Sequence, residues 1–231
     1  MFSKTGLAKL IDVAMLRGDA TTDDIKKLCA QARSYHFAAV TVFPYWVHRT
    51  VQELRGSDVK VCTAIGLPFG AYAISHKIAG VKQAVHDGAH TIEVVINLGE
   101  LLSGNTDYIR REVNEVISAA KMRSLTEDGS DVTVMITAET AWTNRDQQRS
   151  ICKIVNEAGG DFITTNTGFA SRGVSIEDVL SLREMADYDL GIKAAGGIRS
   201  LEQARNLLNA GANRLGTSAG VLLVENFEGE L

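Results

Sequence analysis

Three charged residues stand where a soluble protein seldom leaves a charge without a purpose. Glu93 interrupts the apolar run at 91–97, Lys193 the run at 191–195, and Asp12 the run at 10–14. A carboxylate or an ammonium inside a strand-like apolar segment is costly unless it is partnered. Glu93 and Lys193 therefore either pair with each other or meet a polar ligand, with Asp12 as a second acid. The chemistry within reach of such a set is proton transfer, oxyanion stabilisation or imine formation. A purely structural ion pair filling an interior is the alternative. A second group of residues suits an anion. Asn166-Thr167-Gly168-Phe169, Gly196-Gly197 and Gly216-Thr217-Ser218-Ala219-Gly220 each end an apolar run in small, hydroxyl-bearing or glycine residues. Backbone N–H groups in turns of this kind cradle phosphate or carboxylate.

The elements that must position these residues are strands alternating with helices. Short β-rich runs fall at 10–15, 39–43, 59–65, 91–97, 132–137, 161–166, 191–195 and 213–217, each followed by a helical pattern. That alternation predicts a parallel sheet with crossover helices. Thr21 with Asp24, Asn144 with Gln147, Ser175 with Asp178 and Ser200 with Gln203 have capping-box spacing. Gly88, Gly159 and Gly211 recur at one point of a weak repeat, closing a helix two or three residues before a strand. Eight such units in 231 residues predict an α/β fold, a (β/α)8 TIM barrel with a short N-terminal helix, as one domain spanning 1–231. An open doubly wound sheet fits less well, because no GxGxxG follows the first strand. The polar stretch at 124–131 reads as a loop, as does 100–105.

Composition narrows the class. With 45% hydrophobic and 23% charged residues and a net charge of −4, the chain has no electrostatic footprint for nucleic acid or for a membrane surface. No apolar run reaches transmembrane length, and Met1-Phe2-Ser3-Lys4 opens no signal peptide. Cys29, Cys62 and Cys152 lack metal-ligand spacing and read as reduced, buried thiols of a cytoplasmic protein. His86 and His90 have HxxxH spacing, but Gly88 between them ends the helix they would need to share. No metal and no organic cofactor is implied. Barrels of this kind often form homodimers, though no stripe in this sequence marks the helices that would do so.

In its motifs, the sequence resembles the deoxyribose-phosphate aldolase family. VKVCTAIGLPFG at 59–70 is similar to that family's VCTVIGFPLG, VINLG at 95–99 to MVINIG, GIKAAGGIR at 191–199 to GVKASGGIR, and GTSAG at 216–220 to GTSSG. The resemblance runs from about Leu10 to Val224 and keeps the motif order. It implies a TIM barrel and a reversible aldol reaction joining acetaldehyde to glyceraldehyde 3-phosphate through a Schiff base. It also implies that the nucleophilic lysine of the family's VKTSTGF falls on Thr164 in ITTNTGF, and threonine forms no imine. Glu93 stands where the family has aspartate, Thr41 where it has cysteine, and Ala195 where it has serine, while Asp12 is kept. By contrast the anion side, Thr167, Gly168, Gly196, Gly197 and Ser218, matches.

Three readings follow for a ligand that is a small phosphorylated sugar or aldehyde. In the first, a lyase or isomerase works without an imine: a protonated Lys193 stabilises an oxyanion while Glu93 or Asp12 moves a proton. In the second, Lys193 has taken over as the Schiff-base amine of an aldolase, with Glu93 shuttling protons. In the third, the chain binds a phosphosugar without catalysis, as a regulatory relative. The expected catalytic set is Lys193, Glu93, Asp12 and Thr164. Thr167, Gly168, Gly196, Gly197, Ser218 and Ala219 are expected to bind the phosphate, and Thr41 and Asn97 to line the pocket. At 137–139 either Thr137 or Glu139 can occupy the inward position of the family's VIIET. Tyr45 and Trp46 read chiefly as packing residues.

Overall fold

The computed structural model describes residues 3–122 and 131–227, and the stretch read as a loop at 124–131 lies outside them except for Asp131. Eight parallel strands close into a barrel in strict sequence order. They are β1 (Ile11–Met15), β2 (Ala39–Val42), β3 (Lys60–Ile65), β4 (Thr91–Val95), β5 (Thr133–Thr137), β6 (Phe162–Thr164), β7 (Gly191–Ala195) and β8 (Arg214–Thr217). A short helix α1 (Lys4–Ala8) precedes β1, with Ser3 as its N-cap. The crossovers are α2 (Thr22–Tyr35), α3 (Val47–Leu54), α4 (Ile74–His86), the pair α5 (Leu98–Leu102) and α6 (Thr106–Lys121), α7 (Arg145–Ala158), α8 (Ile176–Met185) and α9 (Leu201–Asn209). A final helix, α10 (Gly220–Glu225), follows β8. This is the TIM barrel that the alternation predicts.

Local chemistry explains the element boundaries. Thr21, Asn144 and Ser175 each form a complete capping box with the residue three further on. Ser200 forms half of one. Its hydroxyl accepts from Gln203 N–H, but the Gln203 side chain accepts from Arg199 N–H instead of closing back on Ser200. Gly88, Gly159 and Gly211 all have positive φ at the ends of helices, as the repeat predicts. The first half of the segment at 100–105 is helical rather than loop: α5, capped by Asn97, runs to Leu102, and Asn105 caps α6. Strand side chains alternate between two environments. Ile11, Val13, Val40, Val61, Ile92, Val94, Ile136, Ile163, Ile192 and Leu215 join the helices in the apolar layer. Their neighbours, Asp12, Thr41, Cys62, Glu93, Thr137, Thr164, Lys193 and Arg214, belong to the alternate set facing the barrel interior. No helix among the described residues is long and apolar enough to cross a membrane.

Candidate active site

The strands' C-terminal ends open on a cavity of ≈ 540 Å³ lined by Lys193, Glu93, Thr41, Ala64 and Leu67. Nearer its mouth come the turns at 166–168, 196–199 and 216–218. Lys193 Nζ donates to Glu93 Oε2 at 2.8 Å and stands 3.0 Å from Asp12 Oδ2. Thr137 Oγ1 donates to Glu93 Oε1 at 3.0 Å, so both oxygens of that carboxylate are engaged. Gly216 makes room for the lysine stem. A Cβ on it would stand 2.9 Å from both Lys193 Cε and Ala195 Cβ. Burial alone would lower the lysine's pKa, but the Glu93 and Asp12 carboxylates outweigh it, and the ammonium is held above the ordinary lysine range. Burial pushes the nearby Cys62 thiol up to about 12, so it stays neutral.

The three turns meet around one end of this cavity. Gly168, Gly196 and Gly197 have φ of +90°, +108° and +76°, a backbone conformation open to glycine and strained for other residues. Gly168 and Gly196 pack against each other: a Cβ on either would lie 3.7 Å from the Cα of the other. Arg199 lines the same cavity two residues after the double glycine, and Arg17 lines it from the loop after β1. A hollow with glycine-rich turns at one end, two guanidinium groups nearby and an ammonium deeper in suits a ligand with an anionic terminus and a reactive oxygen function. From behind, Glu139 braces the first of these turns. Its Oε1 accepts from Thr167 N–H at 2.7 Å, its own φ is +51°, and its side chain is buried. Burial raises its pKa, Thr167 partly offsets that, and Glu93 adds a smaller upward push.

Residues 7–225 match the DeoC/LacD family aldolase profile. The chain belongs to that family. Relatives of this aldolase family member include the deoxyribose-phosphate aldolase of Caldanaerobacter subterraneus subsp. tengcongensis, 41% identical over 226 residues, 98% of this chain and 95% of that one. The deoxyribose-phosphate aldolase of Thermococcus gammatolerans is 42% identical over 221 residues, 95% of each chain. Among solved structures, the tetrameric deoxyribose phosphate aldolase of Aeropyrum pernix superposes with a TM-score of 0.88 at 28% identity, covering 97% of this chain and 92% of that one.

Within this aldolase-family barrel, the structure brings together most, but not all, of the residues singled out from sequence. Lys193, Glu93, Thr41, Thr167, Gly168, Gly196, Gly197 and Ser218 line the cavity. Asp12 does not: it is fully buried and touches the site only through its ion pair with Lys193. Thr164 pairs in register with Lys193 and faces the barrel interior, but it is fully buried and does not line the cavity, its hydroxyl without a hydrogen-bond partner. Asn97 is not a lining residue. The chain leaves β4 at Val95, so the Asn97 side chain caps α5 and its N–H donates to Glu112. Ala219 also turns away, with its N–H donating to Thr217 Oγ1 at the entry to α10. Thr167 lines the cavity, yet its own N–H is taken by Glu139. Tyr45 is 83% exposed and stacks edge-on against Trp46, which packs on the core. Sequence reasoning left Thr137 and Glu139 as alternatives; both have work, Thr137 on Glu93 and Glu139 on the Thr167 turn. It missed Arg199, whose place two residues after Gly196-Gly197 was the available signal, and Arg214, which gave none.

Proposed function

We propose that this chain is a carbon–carbon lyase of the aldolase type acting on a small phosphorylated sugar, with Lys193 as the imine-forming amine. The observation that carries the reading is that Lys193 is the one lysine among the described residues that lines the cavity. The names of its relatives supply the substrate class, a deoxyribose phosphate, and the family resemblance implies the 5-phosphate, cleaved to acetaldehyde and glyceraldehyde 3-phosphate. Thr164 stands where the resemblance places the usual amine, and its threonine side chain leaves Lys193 as the nitrogen within reach.

The geometry allows the steps in turn. The phosphate end sits against the turns at 168, 196–197 and 218, which directs the carbonyl carbon of the open-chain sugar toward Lys193. Glu93, hydrogen-bonded to Nζ, takes the ammonium proton as the substrate enters. The freed amine adds to the carbonyl carbon, and loss of water gives the imine. Glu93, having given its proton to the departing water, takes the C3 hydroxyl proton; cleavage of the C2–C3 bond then leaves its electron pair on the protonated imine as an enamine and releases glyceraldehyde 3-phosphate. Protonation of the enamine carbon and hydrolysis then return acetaldehyde and the lysine. Glu93 is the proton carrier of these steps, and Thr137 keeps it oriented.

A second reading has its own observation. Two carboxylates hold Lys193 as a cation, which suits an ammonium that stabilises an oxyanion without a covalent link. Sodium borohydride separates the two. Reduction in the presence of acetaldehyde should leave an N-ethyl group on the Lys193 peptide, and Lys193→Met should abolish it. Turnover of deoxyribose 5-phosphate that depends on Glu93 but gives no adduct would replace the imine with the ammonium reading. Phosphosugar binding without any turnover would remove both.

A further inference from the structure

The lysine's surroundings extend below the cavity, to the far end of the barrel. Arg214 begins β8 and pairs in register with Lys193. Its Nη1 stands 3.4 Å from Asp12 Oδ1, while Lys193 Nζ stands 3.0 Å from Asp12 Oδ2. One carboxylate is thus divided between two cations. Neither contact is a well-formed hydrogen bond, since both Asp12 oxygens lack one, so the link is electrostatic. Arg214 is held in this direction by the residues beneath it. The Phe162 ring lies over Gly191, where a Cβ would come within 2.4 Å of it, and the guanidinium sits 5.9 Å above the ring centroid. Arg214 is 20% exposed, at the end of the barrel opposite the cavity.

We infer that Arg214, acting from that opposite end through Asp12, governs how readily Lys193 gives up its proton. The inference rests on the reading of Lys193 as the reacting amine. The charged and titratable groups facing Lys193 are Asp12 from β1, Cys62 from β3 and Glu93 from β4, and Arg214 from β8 reaches the far oxygen of Asp12. Cys62 is a neutral thiol, which leaves two carboxylates balanced against two cations. The charge of Arg214 draws on Asp12 and weakens that carboxylate's hold on the ammonium, which favours the neutral amine that an imine requires. Without it, Asp12 and Glu93 together would serve Lys193 alone. Arg214 is a positioning residue in this scheme: it touches no ligand.

Competitive labelling with trace acetic anhydride tests this without relying on turnover. The reagent marks only free amine, and mass spectrometry compares the Lys193 peptide with the exposed Lys153 between about pH 7 and 10. In Arg214→Met, labelling of Lys193 at a given pH should fall about tenfold, the effect of a one-unit rise in its pKa. Arg214→Lys should restore most of it. In an Asp12→Asn background, Arg214→Met should change nothing further. Unchanged or faster labelling in Arg214→Met, or a full-sized effect in the Asp12→Asn background, overturns the inference. If Arg214→Met does not fold, Arg214→Gln carries the same expectation and the same refutation. Should the wild type fail to trap acetaldehyde while these labelling shifts appear, the imine reading falls and the coupling stands.

Discussion

Among the described residues two lysines are buried, and they do opposite things. Lys193 opens on the cavity between two carboxylates. Lys77, on α4, is sealed: its Nζ donates to Glu112 Oε1 at 2.6 Å and to Val95 O at 2.7 Å. Glu112 uses its other oxygen on Asn97 N–H, so this pair ties α4 and α6 to the chain just past β4. The pKa directions differ as well. Burial lowers Lys77 and raises Glu112, with their mutual attraction only partly offsetting it. At Lys193 two acids outweigh the same desolvation. A buried lysine is therefore no sign of a site by itself. What distinguishes Lys193 is a second acid and an opening onto glycine turns.

The sharpest way to break that comparison is to keep each charge and change its reactivity. Lys193→Arg preserves a cation between Glu93 and Asp12 but forms no imine. It should lower kcat/KM for deoxyribose 5-phosphate about a thousandfold or more, within the range set by loss of a reacting group. Retention of a tenth of the activity would favour the ammonium reading. The pH profile of borohydride trapping sharpens the point. Because Lys193 is held above the ordinary lysine range, the free amine should increase about tenfold per pH unit up to about pH 9–10, without a plateau. The stability sign agrees. The ion pairs contribute fully below the unfolded lysine pKa of about 10.4 and are lost only as pH rises through the higher folded value.

The sealed pair should answer in stability. Lys77→Met leaves Glu112 buried without its cation and should cost about 3–5 kcal/mol in urea unfolding. Replacing both residues, as in Lys77→Met with Glu112→Leu, should recover most of that, less the loss of the Asn97 and Val95 hydrogen bonds. A double variant as unstable as the single one would mean that the charges themselves, rather than their mismatch, hold α4 and α6 in place.

These two lysines also mark how far the sequence could be read. Lys193 was legible because it broke an apolar strand and stood before Gly196-Gly197. Lys77 and Glu112 were not, because helices carry charges routinely and the pair lies 35 residues apart. The barrel was legible from the alternation and the glycine repeat, but strand ends were not. The runs at 91–97 and 161–166 read two residues too long at their C-terminal ends, since Ile96, Asn97, Thr165 and Asn166 are apolar or short polar residues of the kind a strand also carries, yet they leave the ladder. Asn166 Oδ1, for example, accepts from Ala141 N–H. Arg214 looked like an ordinary strand edge, and only the closed geometry turns its guanidinium inward onto Asp12.

Glu139 tests whether the anion end and the amine end are separable. Glu139→Ala removes the acceptor behind Thr167 and should raise KM for the phosphorylated sugar about tenfold, the value of one buried hydrogen bond of about 1.4 kcal/mol. The kcat should stay within about threefold of wild type. Glu139→Gln keeps an amide oxygen for Thr167 N–H and should restore KM. A loss confined to kcat would instead make Glu139 an acid of the reaction.

Thr164 offers the smallest expected effect and the most direct reading of the ground beside Lys193. Its side chain is buried, with a hydroxyl that has no hydrogen-bond partner. Thr164→Val keeps the shape and removes only that polar group, relieving a desolvation cost of about 1–3 kcal/mol. Stability should therefore hold or rise slightly. Activity should remain within about threefold, because Thr164 is fully buried and is not among the residues that line the cavity. A loss of activity beyond tenfold at unchanged stability would place this hydroxyl among the reacting groups. Lys193 would then share its chemistry with its neighbour on β6, and the contrast with Lys77 would lie in that neighbour as much as in the second acid.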